Sequence, residues 1–116
     1  MNFILHNGGD LKQGKARELQ AWLDANEKEY ANAMPEGIKY IGTYFAMYAS
    51  DKTGGAVHQL LQLDSYGAQD RLAAAGREDG LFGKLQDELF SMFDDQSQNW
   101  TGALYKSVTD ATIFGE

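Results

Sequence analysis

The sequence predicts an α+β domain in which helices cover one face of a four-stranded antiparallel sheet, and three observations lead there. The stretch Ile38 to Leu63 is β-rich and reverses through Asp51-Lys52-Thr53-Gly54-Gly55, helical periodicity flanks it on both sides, and a short apolar run stands at each end of the chain. Paired glycines can take the φ > 0 conformations that a tight reversal needs, so the central stretch reads as a hairpin.

Each element follows in order. Asn2 to Asn7 is apolar and leads into Gly8-Gly9-Asp10, which reads as strand one and its exit turn. From Lys12 to Met34, Ala16, Leu19, Leu23 and Tyr30 recur at steps of three, four or seven, with Trp22 and Met34 beside them. That spacing is one stripe of a long helix, weak at Gly14 and stopped by Pro35 and Gly37. In the hairpin, strict alternation puts Tyr40, Gly42, Tyr44, Ala46 and Tyr48 on one side of the first arm and Ile41, Thr43, Phe45 and Met47 on the other. The second arm sets Val57, Gln59, Leu61 and Leu63 against His58, Leu60 and Gln62. Asp64-Ser65 reads as an N-cap for a short helix to Ala75, and Gly76 to Gly80 breaks it. A further helix from Leu81 to Asp95 carries Phe82, Leu85, Leu89, Met92 and Phe93 on one stripe. Trp100 to Val108 is the last strand, before a tail that includes Ile113-Phe114.

The order β-α-β-β-α-β, with its second helical segment broken in two, is the ferredoxin-like split βαβ arrangement. Neither hairpin arm has a plainly solvated side, whereas a lone antiparallel sheet usually keeps one face wet. The second apolar face therefore predicts a homodimer, with two sheets packed face to face and the hydrophobic tail reaching onto the partner.

Composition narrows the partners. A chain of 116 residues is expected to form a single domain, residues 1–116, and the absence of cysteine excludes disulfides, thiolate metal sites and thiol catalysis. A net charge of -7 with scattered basic residues argues against nucleic acid, since phosphate contacts draw on Lys and Arg. No apolar run approaches a membrane span, and Met1 to His6 lacks the basic, longer pattern of a signal peptide, so a cytoplasmic location is expected.

Two stretches carry a family resemblance. Met34-Pro35-Glu36-Gly37 ahead of the aromatic strand Tyr40-Ile41-Gly42-Thr43-Tyr44-Phe45, and the junction Leu61-Gln62-Leu63-Asp64-Ser65-Tyr66, resemble the dimeric α/β-barrel superfamily, which includes antibiotic-biosynthesis-monooxygenase-like and NIPSNAP-like proteins. The resemblance implies a homodimer whose two sheets form a barrel, often with a pocket between sheet and helices in each subunit. Members include cofactor-free monooxygenases, haem-binding and haem-degrading proteins and small-molecule isomerases, so the fold does not carry one function.

Candidate site residues are few. His58, on a central strand, is the candidate general base, because an unperturbed imidazole suits proton abstraction near neutral pH; a hydrogen-bonded structural histidine is the competing reading. Tyr40, Tyr44, Gln62 and Trp100, with Tyr48, could line a pocket for a small molecule, although an aromatic strand more often builds core or interface. With strands one and three expected to run parallel, His6 and His58 would be staggered by four residues, about 13 Å at roughly 3.3 Å per residue, too far to share an ion. No metal site and no cofactor are therefore expected. Asp94-Asp95 and Glu78-Asp79 read as solvated charge, and the glycine pairs match no phosphate-binding pattern. The functional expectation is a small-molecule-binding or structural homodimer, with a cofactor-independent monooxygenase or isomerase acting on an aromatic or polyketide-like compound as the alternative.

Overall fold

A computed structural model of the chain describes residues 2–49, 55–96 and 100–108. The elements are β1 (Phe3–Gly9), α1 (Ala16–Asn32), β2 (Ile38–Phe45), β3 (Val57–Leu63), α2 (Ala68–Arg77), α3 (Leu81–Phe90) and β4 (Thr101–Lys106). The expected α+β, ferredoxin-like class holds: one four-stranded sheet in the order β2-β3-β1-β4, every neighbouring pair antiparallel. The hairpin turn between residues 50 and 54 and the tail from 109 onward lie outside the described residues.

Helix α1 starts after Gly14, at φ +81°, and ends where Pro35 cannot continue it. Its Leu19 and Tyr30 are buried in the core. They meet Ile38 and Tyr40 from β2, Val57, Leu61 and Leu63 from β3, Leu72 from α2, and Phe82, Leu85 and Leu89 from α3. Leu61 and Leu63 are fully buried at the centre of the sheet. Trp22 Nε1 donates to Glu88 Oε1 at 2.9 Å and ties α1 to α3 across this core.

Four expectations are corrected. Strands β1 and β3 run antiparallel, with Gly8 opposite His58 and His6 opposite Leu60. The crossover through α1 leaves β1 and β2 parallel, and β3, returning by hairpin between them, opposes both. Second, the register slips between Tyr40 and Gly42, so that Ile41 is an extra residue opposite Leu60. A bulge reverses the facing of everything downstream. Tyr40 joins the helix side with Thr43 and Phe45, which pair with Gln59 and Val57, while Tyr44 pairs with His58 on the other side. Third, Gly8 and Gly9 extend β1 rather than ending it. A Cβ on Gly9 would stand 2.9 Å from Trp100 Cα, so the bare backbone lets β4 approach. Fourth, Asp64 does not cap α2, whose N-cap position is Gly67. Asp64 Oδ1 instead accepts from Arg71 at 2.7 Å, and Arg71 Nε donates to Glu36 O at 3.0 Å.

The face away from the helices carries an exposed apolar and aromatic set, as the hairpin pattern implies, with Lys39 and Gln62 also on it. Ile4, Ile41, Tyr44 and Tyr105 are exposed on it, beside the half-buried His6, His58 and Leu60.

Candidate functional site

A broad cleft lies on the helix side, where the first half of α1 passes over the hairpin end of β2 and β3. It has a volume of about 910 Å³. Helix periodicity supplies one wall: Ala16, Leu19 and Leu23 stand three and four residues apart and so project together. Thr43 and Phe45, turned to this side by the bulge, and Val57 form the opposite wall. Phe45 is 59% exposed although it stands on the covered face, because α1 does not close down on it. Leu11 completes the apolar lining, and Gln13, Gln20, Asp10 and Asp94 contribute polar groups. Asp10 and Asp94 are held side by side, since Asp94 N donates to Asp10 O at 2.8 Å. Among the described residues the lining contains no His, Lys or Arg.

Behind Thr43 runs a hydroxyl relay. Tyr40 Oη donates to Glu27 Oε2 at 2.8 Å and stands 2.6 Å from Thr43 Oγ1, which then donates to it. Burial pushes the Tyr40 hydroxyl well above its ordinary pKa, and the neighbouring Glu27 carboxylate adds to the shift. Burial does the same to Tyr30, whose hydroxyl donates to Gln59 Oε1 at 2.8 Å. Both phenols are neutral donors at physiological pH and neither is a base there.

The structure separates the residues singled out in the sequence. Tyr40 lies in the core and reaches the cleft only through Thr43. Tyr44 is the one of the four that borders the cleft, but its half-exposed ring lies on the uncovered face beside Gly42. Gln62 stands opposite Lys39 and Ile4 on the uncovered face. Trp100 packs edge-on against Phe90 and Phe93, at centroid distances of 5.7 and 5.8 Å. Tyr48 is 87% exposed.

His58 also stands on the uncovered face, outside the cleft lining. Its Nε2 is 3.0 Å from Thr101 Oγ1. The antiparallel β1–β3 pairing overturns the expected 13 Å stagger and places the His6 and His58 rings edge to face, 4.9 Å between centroids. His6 Nε2 stands 3.0 Å from Tyr105 Oη, with the two rings stacked. Two imidazoles are half of a tetrahedral ligand set, and among the described residues no group of three His, Asp or Glu side chains converges. Leu19 and Leu23 read from sequence as part of one helical stripe, and Phe45 and Val57 as apolar positions of the hairpin arms. Nothing local distinguishes an apolar residue that lines a cleft from one that fills a core.

With this geometry in hand, solved structures decide the fold. A NIPSNAP family protein of unknown function from Agrobacterium tumefaciens superposes with a TM-score of 0.63 at 10% identity, over 90% of this chain and 86% of that one. The chain has the fold of the NIPSNAP family proteins. An uncharacterized NIPSNAP domain protein from Burkholderia xenovorans gives 0.59 at 9% identity, over 89% and 91% of the two chains. A monooxygenase from Streptomyces coelicolor, crystallised with nanaomycin D, gives 0.52 at 16% identity, over 90% and 86%. These are the NIPSNAP-like and monooxygenase-like groups that the two sequence stretches resemble, and at such identities the likeness is one of fold. No family model matches the chain, and no curated protein matches it. Among the described residues no helix is long and apolar enough to cross a membrane.

Proposed function

We propose that this chain is a cytoplasmic homodimer that binds a small, largely apolar molecule in the cleft between α1 and the hairpin, its copies paired through the uncovered sheet faces. The cleft itself carries the reading. Its volume of about 910 Å³ falls in the range of small-molecule sites, and an apolar lining with a few placed polar groups is what such sites present. A purely structural subunit has no need of an exposed Phe45 facing an open cleft. Pairing of the sheets would cover Ile4, Ile41, Leu60 and Tyr105, an apolar set that a lone subunit leaves in water.

Filling the cleft tests the ligand site. Nile red, a neutral apolar fluorophore, is expected to bind the protein saturably, and Ala16→Trp, which places an indole in the cleft from an exposed helix position, is expected to weaken it at least tenfold. Unchanged binding by this variant, with an unchanged circular dichroism spectrum, would move the site elsewhere.

The shared fold with the S. coelicolor monooxygenase favours a second reading, cofactor-independent oxygenation or isomerisation of an aromatic or polyketide-like compound. That chemistry needs a proton acceptor at the ligand. His58 is outside the lining, so the role would pass to Asp10 or Asp94. Absence of oxygen uptake with a hydroquinone substrate would remove this reading, and uptake that survives both Asp10→Asn and Asp94→Asn would remove the aspartate base assignment; neither result bears on the binding site.

A further inference from the structure

The stripe that α1 turns toward the sheet is apolar at Leu19 and Leu23 and carries a carboxylate one turn further on, at Glu27. A carboxylate on an inward stripe needs a donor, and the Tyr40 hydroxyl supplies it, donating to Glu27 Oε2 at 2.8 Å. A phenol has one proton, and Tyr40 has committed it to Glu27, which can only accept. Thr43 Oγ1 stands 2.6 Å from Tyr40 Oη, too close for two oxygens without a proton between them, so that proton is Thr43's own. Burial keeps the Tyr40 hydroxyl protonated well above its ordinary range, so the relay runs Thr43 to Tyr40 to Glu27 throughout the neutral range.

The direction of the relay fixes what the cleft presents. Of its three residues, Thr43 is the one that lines the cleft. With its proton turned to Tyr40, the Thr43 hydroxyl has only lone pairs left for a ligand. Asp10 and Asp94 on the lining are acceptors as well. The amides of Gln13 and Gln20, which can donate, belong to α1 and the segment before it rather than to the sheet wall. Phe45 and Val57, which share that wall with Thr43, are apolar.

We infer that the sheet wall of the α1 cleft selects its ligand by a hydrogen-bond donor, and that the molecule it takes is a neutral apolar phenol or alcohol whose O–H points at Thr43 Oγ1. This rests on the reading of the cleft as a small-molecule site and names the class of molecule. A carbonyl, ether or ester in the same place would set lone pairs against lone pairs and leave both unmatched. A carboxylate would in addition meet Asp10 and Asp94, and an ammonium against Phe45 and Val57 would lose more hydration than one hydroxyl oxygen returns.

The test compares 2-naphthol with 2-methoxynaphthalene, which has the same rings and no donor, by equilibrium dialysis at neutral pH. Wild type is expected to bind the naphthol about tenfold more tightly, although the methyl ether is the more apolar compound. Ala16→Trp is expected to weaken both at least tenfold, which ties them to this cleft. Thr43→Val should bring the ratio to one or below, and Thr43→Ser, which keeps the hydroxyl, should restore it. Tyr40→Phe frees the Thr43 proton to donate and should lower the ratio at least threefold, an effect that a merely structural tie between α1 and β2 would not have. Equal affinities in wild type, both lost in Ala16→Trp, would overturn this inference and leave the cleft a general apolar site. A preference for the naphthol that survives Thr43→Val, or a ratio that Tyr40→Phe leaves unchanged, would also overturn it.

Discussion

Replacing Tyr30 by Phe removes one hydroxyl from the centre of the core. Tyr30 is fully buried, its ring stacked on Phe82 at 5.8 Å and edge-on to Tyr40 and Trp22 at 5.3 and 5.9 Å, and Phe keeps all of that packing. What goes is the hydroxyl that donates to Gln59 Oε1 and is also hydrogen-bonded by Gln86. Gln59 is 1% exposed and its Nε2 already lacks a partner, so the variant leaves the whole amide unmatched out of reach of water. Orphaning a buried acceptor costs about 1–3 kcal/mol. A value of about 2 kcal/mol is expected, roughly 8 °C in Tm at about 4 °C per kcal/mol for a domain of this size. The double variant Tyr30→Phe, Gln59→Leu removes both partners and the unmatched donor together. It is expected to be more stable than Tyr30→Phe alone by about 1 kcal/mol, because an apolar pair of similar shape has nothing to desolvate. Urea unfolding of wild type, both single variants and the double variant measures the cycle. A loss below about 0.5 kcal/mol for Tyr30→Phe, or strictly additive losses, would refute the argument that burial makes this bond matter.

Three further outcomes follow from other parts of the fold. Ile41→Asp places a charge on the uncovered face at a half-exposed bulge position; it is expected to weaken dimerisation at least tenfold while costing the subunit less than about 1 kcal/mol, and light scattering showing an intact dimer would locate the interface elsewhere. Alkaline pH should destabilise the fold, since burial raises the Tyr30 and Tyr40 hydroxyls above their ordinary value near 10. The stabilising preference for the neutral phenols is fully present below pH 10 and is lost as pH rises above it, because the unfolded chain then releases protons that the folded chain keeps, at up to about 1.4 kcal/mol per pH unit for each tyrosine. A Tm that stays flat from pH 9.5 to 11, or that falls no faster in the Tyr30→Phe variant's parent than in the variant, would contradict this. Gly37→Ala should cost about 1–3 kcal/mol, since Gly37 sits at φ +83° and a Cβ there would run into the Asp64–Arg71 ion pair; a thermal melt within 2 °C of wild type would show that this loop relaxes freely.

Much of the architecture is legible in the chain itself. The three- and four-residue spacing of Ala16, Leu19 and Leu23 announces α1, Pro35 and Gly37 end it, and alternation sorts Val57, Gln59, Leu61 and Leu63 from His58, Leu60 and Gln62 without error. These are local properties: a helix or strand period is set by the backbone geometry of a few consecutive residues and needs no partner to show. The two-sided apolar character of the hairpin is local in the same sense, and it already marks a face that the helices do not cover.

Site residues were another matter. Tyr40 and Tyr44 share a side under strict alternation, and one extra residue at Ile41 sends them to opposite faces of the sheet. A bulge is decided by how two strands match, and no pattern within β2 alone reports it. His6 and His58 come within contact because β3 returns between β1 and β2, which fixes their direction by connectivity across 52 residues. The α1 cleft arises the same way, from a gap between elements distant in the chain. The sequence by itself therefore determined the elements, their order and the uncovered apolar face of the sheet, through short-range periodicity. Only the tertiary structure decided which side chains meet, because register and packing are set by long-range pairing that local spacing does not encode.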